Sequence, residues 1–432
     1  MSTTDGTFRR ISDTPQTKTA QAYRAGVKPA SSGEDRNGSD SRTDGMGMEI
    51  VSPAAVADLY GEWQDLADRA AEPNPFMRPD FLLPIIAYLQ PSDPRIVLIR
   101  KQGRLTGVVP LVKDKTGFGI SGPRHAVYFH QYGPVGTPLI DRNHIDDTLS
   151  VLFSSRRKSD VPTGRGLSGK LPSGLLMHSD ENGPVHQTLV RLANENGLSP
   201  IKLDGFERAC LDATQAPDHF RTHALVRKKR KDLSRLLRRM QEKGTVCTFA
   251  HRNAPEIAAA IERFIALEER SWKGKRETAL GSEQQRTQLA LDLVNDFAVR
   301  NQMRIDEIIV GGSLVASLIS FVDHDRLFTW KIAHNDEFAR YSPGSQIILA
   351  LSESLMADPS IALADSLATS NHPMINHLWR ERLTIAKTYF PLRPQGPLTA
   401  ACMRADERTY NFVHSSAKNL FTAAKTCLSK PR

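Results

Sequence analysis

The chain has 432 residues, 40% of them hydrophobic and 24% charged, which is the balance of a globular protein with room for two or three cores. Its net charge is +9. Almost all of that excess lies in one stretch, because Arg221 to Lys243 carries ten Lys/Arg against two acids. The rest of the chain is near neutral, which excludes a protein that binds nucleic acid with its whole surface.

Residues 1–47 are rich in Ser, Thr, Asp and Gly and poor in aliphatic side chains. Such a segment cannot bury enough apolar surface to offset its ordering entropy, so a disordered tail is expected. From Ala54 to Ala70, Val56, Leu59, Tyr60, Trp63 and Leu66 recur at helical spacing. Asn74-Pro75 breaks the chain, and a second helix is expected near Asp80 to Leu89. In "PRIVLIRKQGRLTGVVPLVKD" two apolar runs flank Lys101-Gln102-Gly103, the pattern of a β-hairpin. A strand is expected at Val127–Tyr132, and residues 155–184 read as a loop-rich insertion.

The plan returns downstream. "MRIDEIIVGGSLVASLISFVDHD" slides onto the first hairpin by 209 positions, pairing Gly103 with Gly312 and Leu105 with Leu314. Each hairpin follows helices and precedes another strand, the second one at Leu327–Ala333. A tandem duplication of one α/β unit is therefore expected, with copies at 48–205 and 206–395 and a C-terminal tail at 396–432. No run reaches the ~20 apolar residues of a membrane span. No apolar core follows Arg9 and Arg10, so no secretory signal is expected. The four cysteines (Cys210, Cys247, Cys402, Cys427) lie far apart without metal-type spacing, which points to free thiols in a reducing cytoplasm.

Three stretches can carry chemistry. "HNDEFARYSPGSQ" leaves a strand and opens a helix, so the N–H groups of Gly344, Ser345 and Gln346 are expected to face an anion, with Arg340 and the Ser345 hydroxyl as further donors. The alternative is an ordinary capped turn, since Ser-Pro-Gly is common punctuation. His334, just past the strand end, is a base by its intrinsic pKa or else a loop residue. In "LEERSWKGKRETALG", Trp272 is a core anchor or a substrate platform, and Lys273 and Lys275 are candidates for phosphate. Glu268 and Glu269 are acid/base candidates or a solvated helix face. "VRKKRKDLSRLLRRMQEKG" places Leu233, Leu236, Leu237 and Met240 on one stripe, leaving Arg230, Arg235 and their neighbours on the other face. That face suits a phosphate-bearing acceptor, a tRNA acceptor stem or an anionic membrane surface, or is simply solvated.

Four stretches, "FMRPDFLLPIIAYL", "LEERSWKGKRETALGS", "HNDEFARYSPGSQIIL" and "LADSLATSNHPMINHLWRERL", resemble the GNAT acetyltransferase superfamily. The match is to its tandem branch, which includes FemAB-type aminoacyltransferases and cellulose-biosynthesis-type acetyltransferases. The resemblance implies an α/β (α+β) fold of tandem GNAT-like domains, each a mixed, mostly antiparallel sheet flanked by helices. It implies that the backbone of Thr329–Ala333, including Ile332 and Ala333, pairs with the pantetheine arm of acyl-CoA. The family's diphosphate loop, (Gln/Arg)-x-x-Gly-x-(Gly/Ala), is matched here by Tyr341-x-x-Gly344-x-Gln346, which keeps only the first glycine. Asp365 matches a position commonly acidic in the family, where it orients an acceptor amine or fixes a loop. Expected from the resemblance is transfer of an acyl group, acetyl above all, from acyl-CoA to an amine or hydroxyl acceptor without a metal. The acceptor would be a bacterial envelope or exopolysaccharide precursor, met in the cytoplasm or at the inner face of the membrane. The alternatives are a FemAB-type transferase using aminoacyl-tRNA, since tandem relatives with looser loops do so, and a non-catalytic module that binds an anionic glycan or lipid.

Overall fold

The structure, a computed structural model, describes residues 45–114, 117–118, 124–154, 171–216, 220 and 227–428. The expected tail lies outside them except for its last residues, which enter the first strand. In chain order the first set of elements is β1 (Met46–Val51), α1 (Tyr60–Asp68), α2 (Pro79–Leu89), β2 (Arg95–Lys101), β3 (Arg104–Lys113), β4 (His125–Val127), β5 (Leu139–Ile140), α3 (Ile145–Ser154), β6 (Gly174–Asp180), α4 (Pro184–Glu195) and β7 (Ile201–Asp212). The second set is α5 (Arg227–Gln241), β8 (Val246–His251), α6 (Ala254–Arg270), α7 (Gln284–Val299), β9 (Met303–Val310), β10 (Ser313–Asp323), β11 (Arg326–His334), α8 (Pro343–Met356), β12 (Leu363–Asp365) and β13 (Glu381–Pro391), with α9 (Thr399–Leu428) after it.

Both expected hairpins form, each around a two-residue turn with positive φ at both central positions: Gln102 and Gly103 in one, Gly311 and Gly312 in the other. That geometry matches the right-handed twist of the flanking strands and favours glycine. Each hairpin also carries one bulged residue, Thr106 opposite Ile99/Arg100 and Val315 opposite Ile308/Ile309. Thr106 and Val315 stand at the same 209-residue offset as the turn glycines. A bulge is a specific local feature rather than a generic apolar repeat.

The strands form one sheet of order β1-β2-β3-β4-β6-β13-β7-β12-β11-β10-β9-β8, with β5 added against β3. Read from either end, five strands of one copy are followed by the last strand of the other. β13 enters the first copy beside β6, and β7 enters the second beside β12. Among the described residues, only β4–β6 and β11–β12 pair in parallel. The fold is therefore a mixed, mostly antiparallel α/β arrangement in tandem, and the copies exchange their final strands. The boundary expected at residue 205 falls inside β7, in mid-exchange.

Side chains close the same seam. Phe81 of α2 packs edge-on to Phe321 (5.5 Å) and Phe297 (6.4 Å) of the second copy. Arg78 donates to Asp323 at 2.6 Å in a buried ion pair. Several expectations need correction. The first helix is a 3-10 turn, Pro53–Leu59, running into the shorter α1. β4 ends at Val127: Tyr128 N–H still donates to Pro110 O of β3 at 2.9 Å, and the chain then turns at His130–Gly133, where Gly133 N–H donates to His130 O at 3.0 Å. Residues 174–180 are a strand, not loop, since β13 supplies the edge they pair with. Part of the supposed tail is α9, anchored by Met403 against Leu176 and Tyr389 and by Lys387 to Glu407 at 2.7 Å.

Candidate active site

β11 ends at His334, and Asn335 caps the turn that follows by accepting from Glu337 N–H at 3.0 Å. Ser342 then adopts φ +55°, and Pro343 opens α8, where its fixed φ suits a helix start and its missing N–H is no loss. Fewer amides are left than expected. Ser345 and Gln346 N–H both donate to the Ser342 carbonyl, at 2.9 and 3.1 Å. Gly344 N–H is the one left over. Gly344 is buried, and a Cβ there would stand 3.1 Å from Met374 Sδ and 3.6 Å from Ile332 Cδ1. The first turn of α8 holds no acid, whereas α3, in the corresponding place of the first copy, starts with Asp146 and Asp147. Carboxylates at a helix N-terminus occupy its positive end, so of these two corresponding helices it is α8 that offers an anion a favourable start.

The flanking residues divide. Arg340 is exposed, its guanidinium 4.9 Å from the centre of the Tyr341 ring, and Tyr341 and Ser345 are buried. Gln346 does not face a ligand: its side-chain amide donates to Leu233 O of α5 at 3.0 Å and clamps the basic helix onto α8. Leu233 and Met240 of α5 are buried, while Lys228, Lys231, Arg235, Arg238 and Arg239 are exposed. Arg235 pairs with Asp232 at 2.7 Å, and Arg230 is half-buried.

β12 pairs with β11 only from Arg326 to Phe328. Beyond that the strands part, and among the described residues β10 is the sole strand neighbour of Thr329–His334. This open edge holds Ile332 and Ala333 and points along the chain toward Gly344. Lys273, at the end of α6, ties it down by donating to Ile332 O (2.7 Å) and Glu268 Oε1 (2.8 Å). Glu268 Oε2 accepts from Leu280 N–H at 2.8 Å. Glu268 is thus fully engaged, a structural anchor rather than the expected acid or base, and the Lys273 ammonium is taken. His334 is half-buried nearby. Burial lowers its pKa, Asp336 opposes and Lys273 reinforces, so at neutral pH it is a neutral imidazole able to accept a proton. Asp365 is not brought to this place. It sits opposite Phe328, six residues or about 20 Å along the strand from His334. Its carboxylate meets Arg208 at 3.2 Å and Leu367 N–H at 2.7 Å, which fixes the exchanged strand. Trp272 is 43% exposed with Arg276 5.0 Å over its ring, so the core-anchor reading fails and a surface platform remains.

One residue escaped the sequence reading. The β10–β11 register slips between Ile319/Lys331 and Ser320/Thr329, leaving Trp330 as the bulged residue. Bulges re-aim side chains. The Lys331 ammonium lies 5.2 Å from the centre of the Tyr132 ring and 5.7 Å from that of Trp330, and Trp330 Nε1 donates to Tyr132 O at 2.8 Å. Burial, reinforced by Lys273 and Arg286 and opposed by Glu268, lowers its pKa to about 8. The only signal in the sequence is one lysine amid the apolar residues of "FTWKIA". Among the described residues, no group of three or more His, Cys, Asp or Glu is placed to hold a metal ion, and no helix is long and apolar enough to cross a membrane.

Residues 227–371, from the start of α5 through β12, match the family model described as "Acetyltransferase (GNAT) domain". No curated protein matches the chain. The fold is similar to the crystal structure of FemX at 8% identity and TM-score 0.50, over 76% of this chain and 95% of that one. A conserved protein of unknown function from Bacteroides thetaiotaomicron gives 10% identity and 0.46, over 76% and 96%. The C-terminal domain of a putative lysylphosphatidylglycerol synthetase from Agrobacterium fabrum gives 10% and 0.47, over 81% and 96%. At these identities the likeness concerns the fold, and of these three it is FemX whose TM-score bears on it.

Proposed function

We propose that the second copy, whose residues 227–371 match the GNAT acetyltransferase domain model, transfers an acyl group from acyl-CoA to an amine or hydroxyl held in the cleft between the copies. The observation that carries this reading is the open β11 edge, Thr329 to His334, leading to the Gly344 N–H at an acid-free helix start. An extended amide arm adds to an open strand edge by backbone hydrogen bonds. A diphosphate at its end then meets the helix N-terminus, with Arg340 at the surface beside it. The acceptor nitrogen or oxygen attacks the thioester carbonyl, forming the new C–N or C–O bond as the C–S bond breaks. Its proton passes to His334, directly or through one water, and then to the departing thiolate. An envelope or exopolysaccharide precursor suits this chemistry in the cytoplasm, and the exposed basic face of α5 would bring the protein to an anionic inner membrane surface. The test is His334→Gln against wild type with acetyl-CoA and an amine panel, where kcat falls ~100-fold while coenzyme A affinity holds. Equal kcat would remove His334 from the reaction.

A second reading, aminoacyl-tRNA as donor, is favoured by one specific pair of observations. A single free amide is a thin grip for a diphosphate, and Gln346 locks the basic α5 directly against that helix start. An RNA backbone along α5 would deliver an ester to the same strand edge. Retention of tRNA at low salt, lost steeply as salt rises, together with no coenzyme A binding, would select this reading over the first.

A further inference from the structure

The proposed cleft, the seam where Tyr132 of the first copy meets Trp330 and Lys331 of the second, carries an unbalanced charge. Three cations converge on it: Lys331 on β11, Lys273 just past the end of α6 and Arg286 on α7. Lys273 is paired with Glu268 at 2.8 Å, and Arg286 with Glu283 at 3.1 Å while also donating to Tyr88 OH at 3.4 Å. Lys331 forms no ion pair among the described residues. Its neighbours are the rings of Tyr132 and Trp330, with Tyr88 packed 6.3 Å from Tyr132. Glu268, the one carboxylate that acts on Lys331, is already paired with Lys273. A half-buried ammonium that meets two aromatic rings and has no ion-pair partner among the described residues retains some cation–π attraction, yet that does not replace the hydration it has lost. An apolar residue in its place would pack against the same rings without that cost.

We infer that Lys331 is an anion-recognition residue, and that the acceptor taken into this cleft carries an oxyacid group, carboxylate or phosphate, placed against Lys331 Nζ with its attached body between Tyr132, Trp330 and Tyr88. The inference rests on the proposed transferase reading for the word acceptor, while the charge complementarity stands on the cleft alone. An ammonium is a compact point charge, so it accepts either oxyacid without the fork geometry that arginine demands. The incoming anion also supplies the missing partner, so the site binds an acidic molecule and disfavours its neutral isostere.

The test reads Lys331 itself. The protein is treated briefly with acetic anhydride at pH 8, and acetylation of each lysine is followed by mass spectrometry with succinate, succinamide or inorganic phosphate present. An anion that raises the Lys331 pKa from about 8 by about one unit cuts its neutral, reactive fraction from about one half to about one tenth, a roughly fivefold slower modification. Protection by succinate or phosphate, with succinamide inert and the α5 lysines unchanged, supports the inference, and the stronger anion names the oxyacid class. Equal protection by succinamide, or none by either anion, overturns it. As a second measurement, both anions should raise the melting temperature of wild type and leave that of Lys331→Met unmoved; equal shifts in the two proteins would also overturn it. Neither readout involves coenzyme A, so failure here with coenzyme A binding intact removes the acidic acceptor and leaves the transferase reading in place.

Discussion

Lys273→Met is the perturbation that separates anchor from catalyst at the end of α6. It removes the ammonium between Glu268 and Ile332 O, leaving a buried carboxylate with Leu280 N–H as its remaining donor. Breaking one side of a buried ion pair costs about 3–5 kcal/mol, and because the Lys273 side chain is 22% exposed, water should hold the loss near the lower end, about 3 kcal/mol. The double variant Lys273→Met/Glu268→Gln removes the stranded charge and should recover more than half of that loss, since replacing both partners is far gentler than orphaning one. Urea unfolding followed by circular dichroism measures both. A single variant within ~0.5 kcal/mol of wild type, or a double variant no better than the single, would refute the anchoring role and return Glu268 to the list of acid/base candidates.

Glu72, buried at the start of α4 and accepting from Val185 N–H at 2.9 Å, has its pKa raised to about 7 by burial. The folded state therefore holds a proton that the unfolded state has released between pH 4.5 and 7, so stability falls as pH rises through that window. Glu72→Gln should flatten the slope and stabilise the protein at pH 8 by on the order of 2–4 kcal/mol, and an unchanged pH profile of melting would contradict this. Gly344→Ala sets a methyl 3.1 Å from the flexible Met374, so stability should stay within about 1 kcal/mol while coenzyme A affinity drops about tenfold by calorimetry. Reversing Lys228, Lys231, Arg238 and Arg239 to Glu should cost under ~0.5 kcal/mol each, because all four are exposed, and should abolish salt-sensitive retention on tRNA or anionic vesicles; unchanged retention would make α5 a solvated face.

Local patterns were legible because local physics sets them. Gln102-Gly103 and Gly311-Gly312 announce hairpins, Pro343-Gly344 announces a helix start, and the apolar stripe of α5 announces its buried side. The exchange of β7 and β13 was not legible, since a strand's alternation says which face is buried and not which edge it joins. The fate of Glu268 depended on how the loop after α6 folds back, bringing Lys273 and Leu280 to its carboxylate, and that of Asp365 on Arg208, far along the chain. Lys331 was missed for a geometric reason: without the bulge at Trp330, period-two counting gives no warrant for a lysine among rings. The expected strand through Tyr132 failed because tertiary packing against Phe81 and Trp330 outweighed the β-propensity of "VYFHQY".

The most direct test of where the donor lies is hydrogen–deuterium exchange of the whole chain with and without saturating coenzyme A. Protection confined to Thr329–His334 and Gly344–Gln346, with none at the α3 start around Asp146 and Asp147, is the expected result. No protection anywhere, or protection at the α3 start instead, would contradict the assignment of the donor to the second copy.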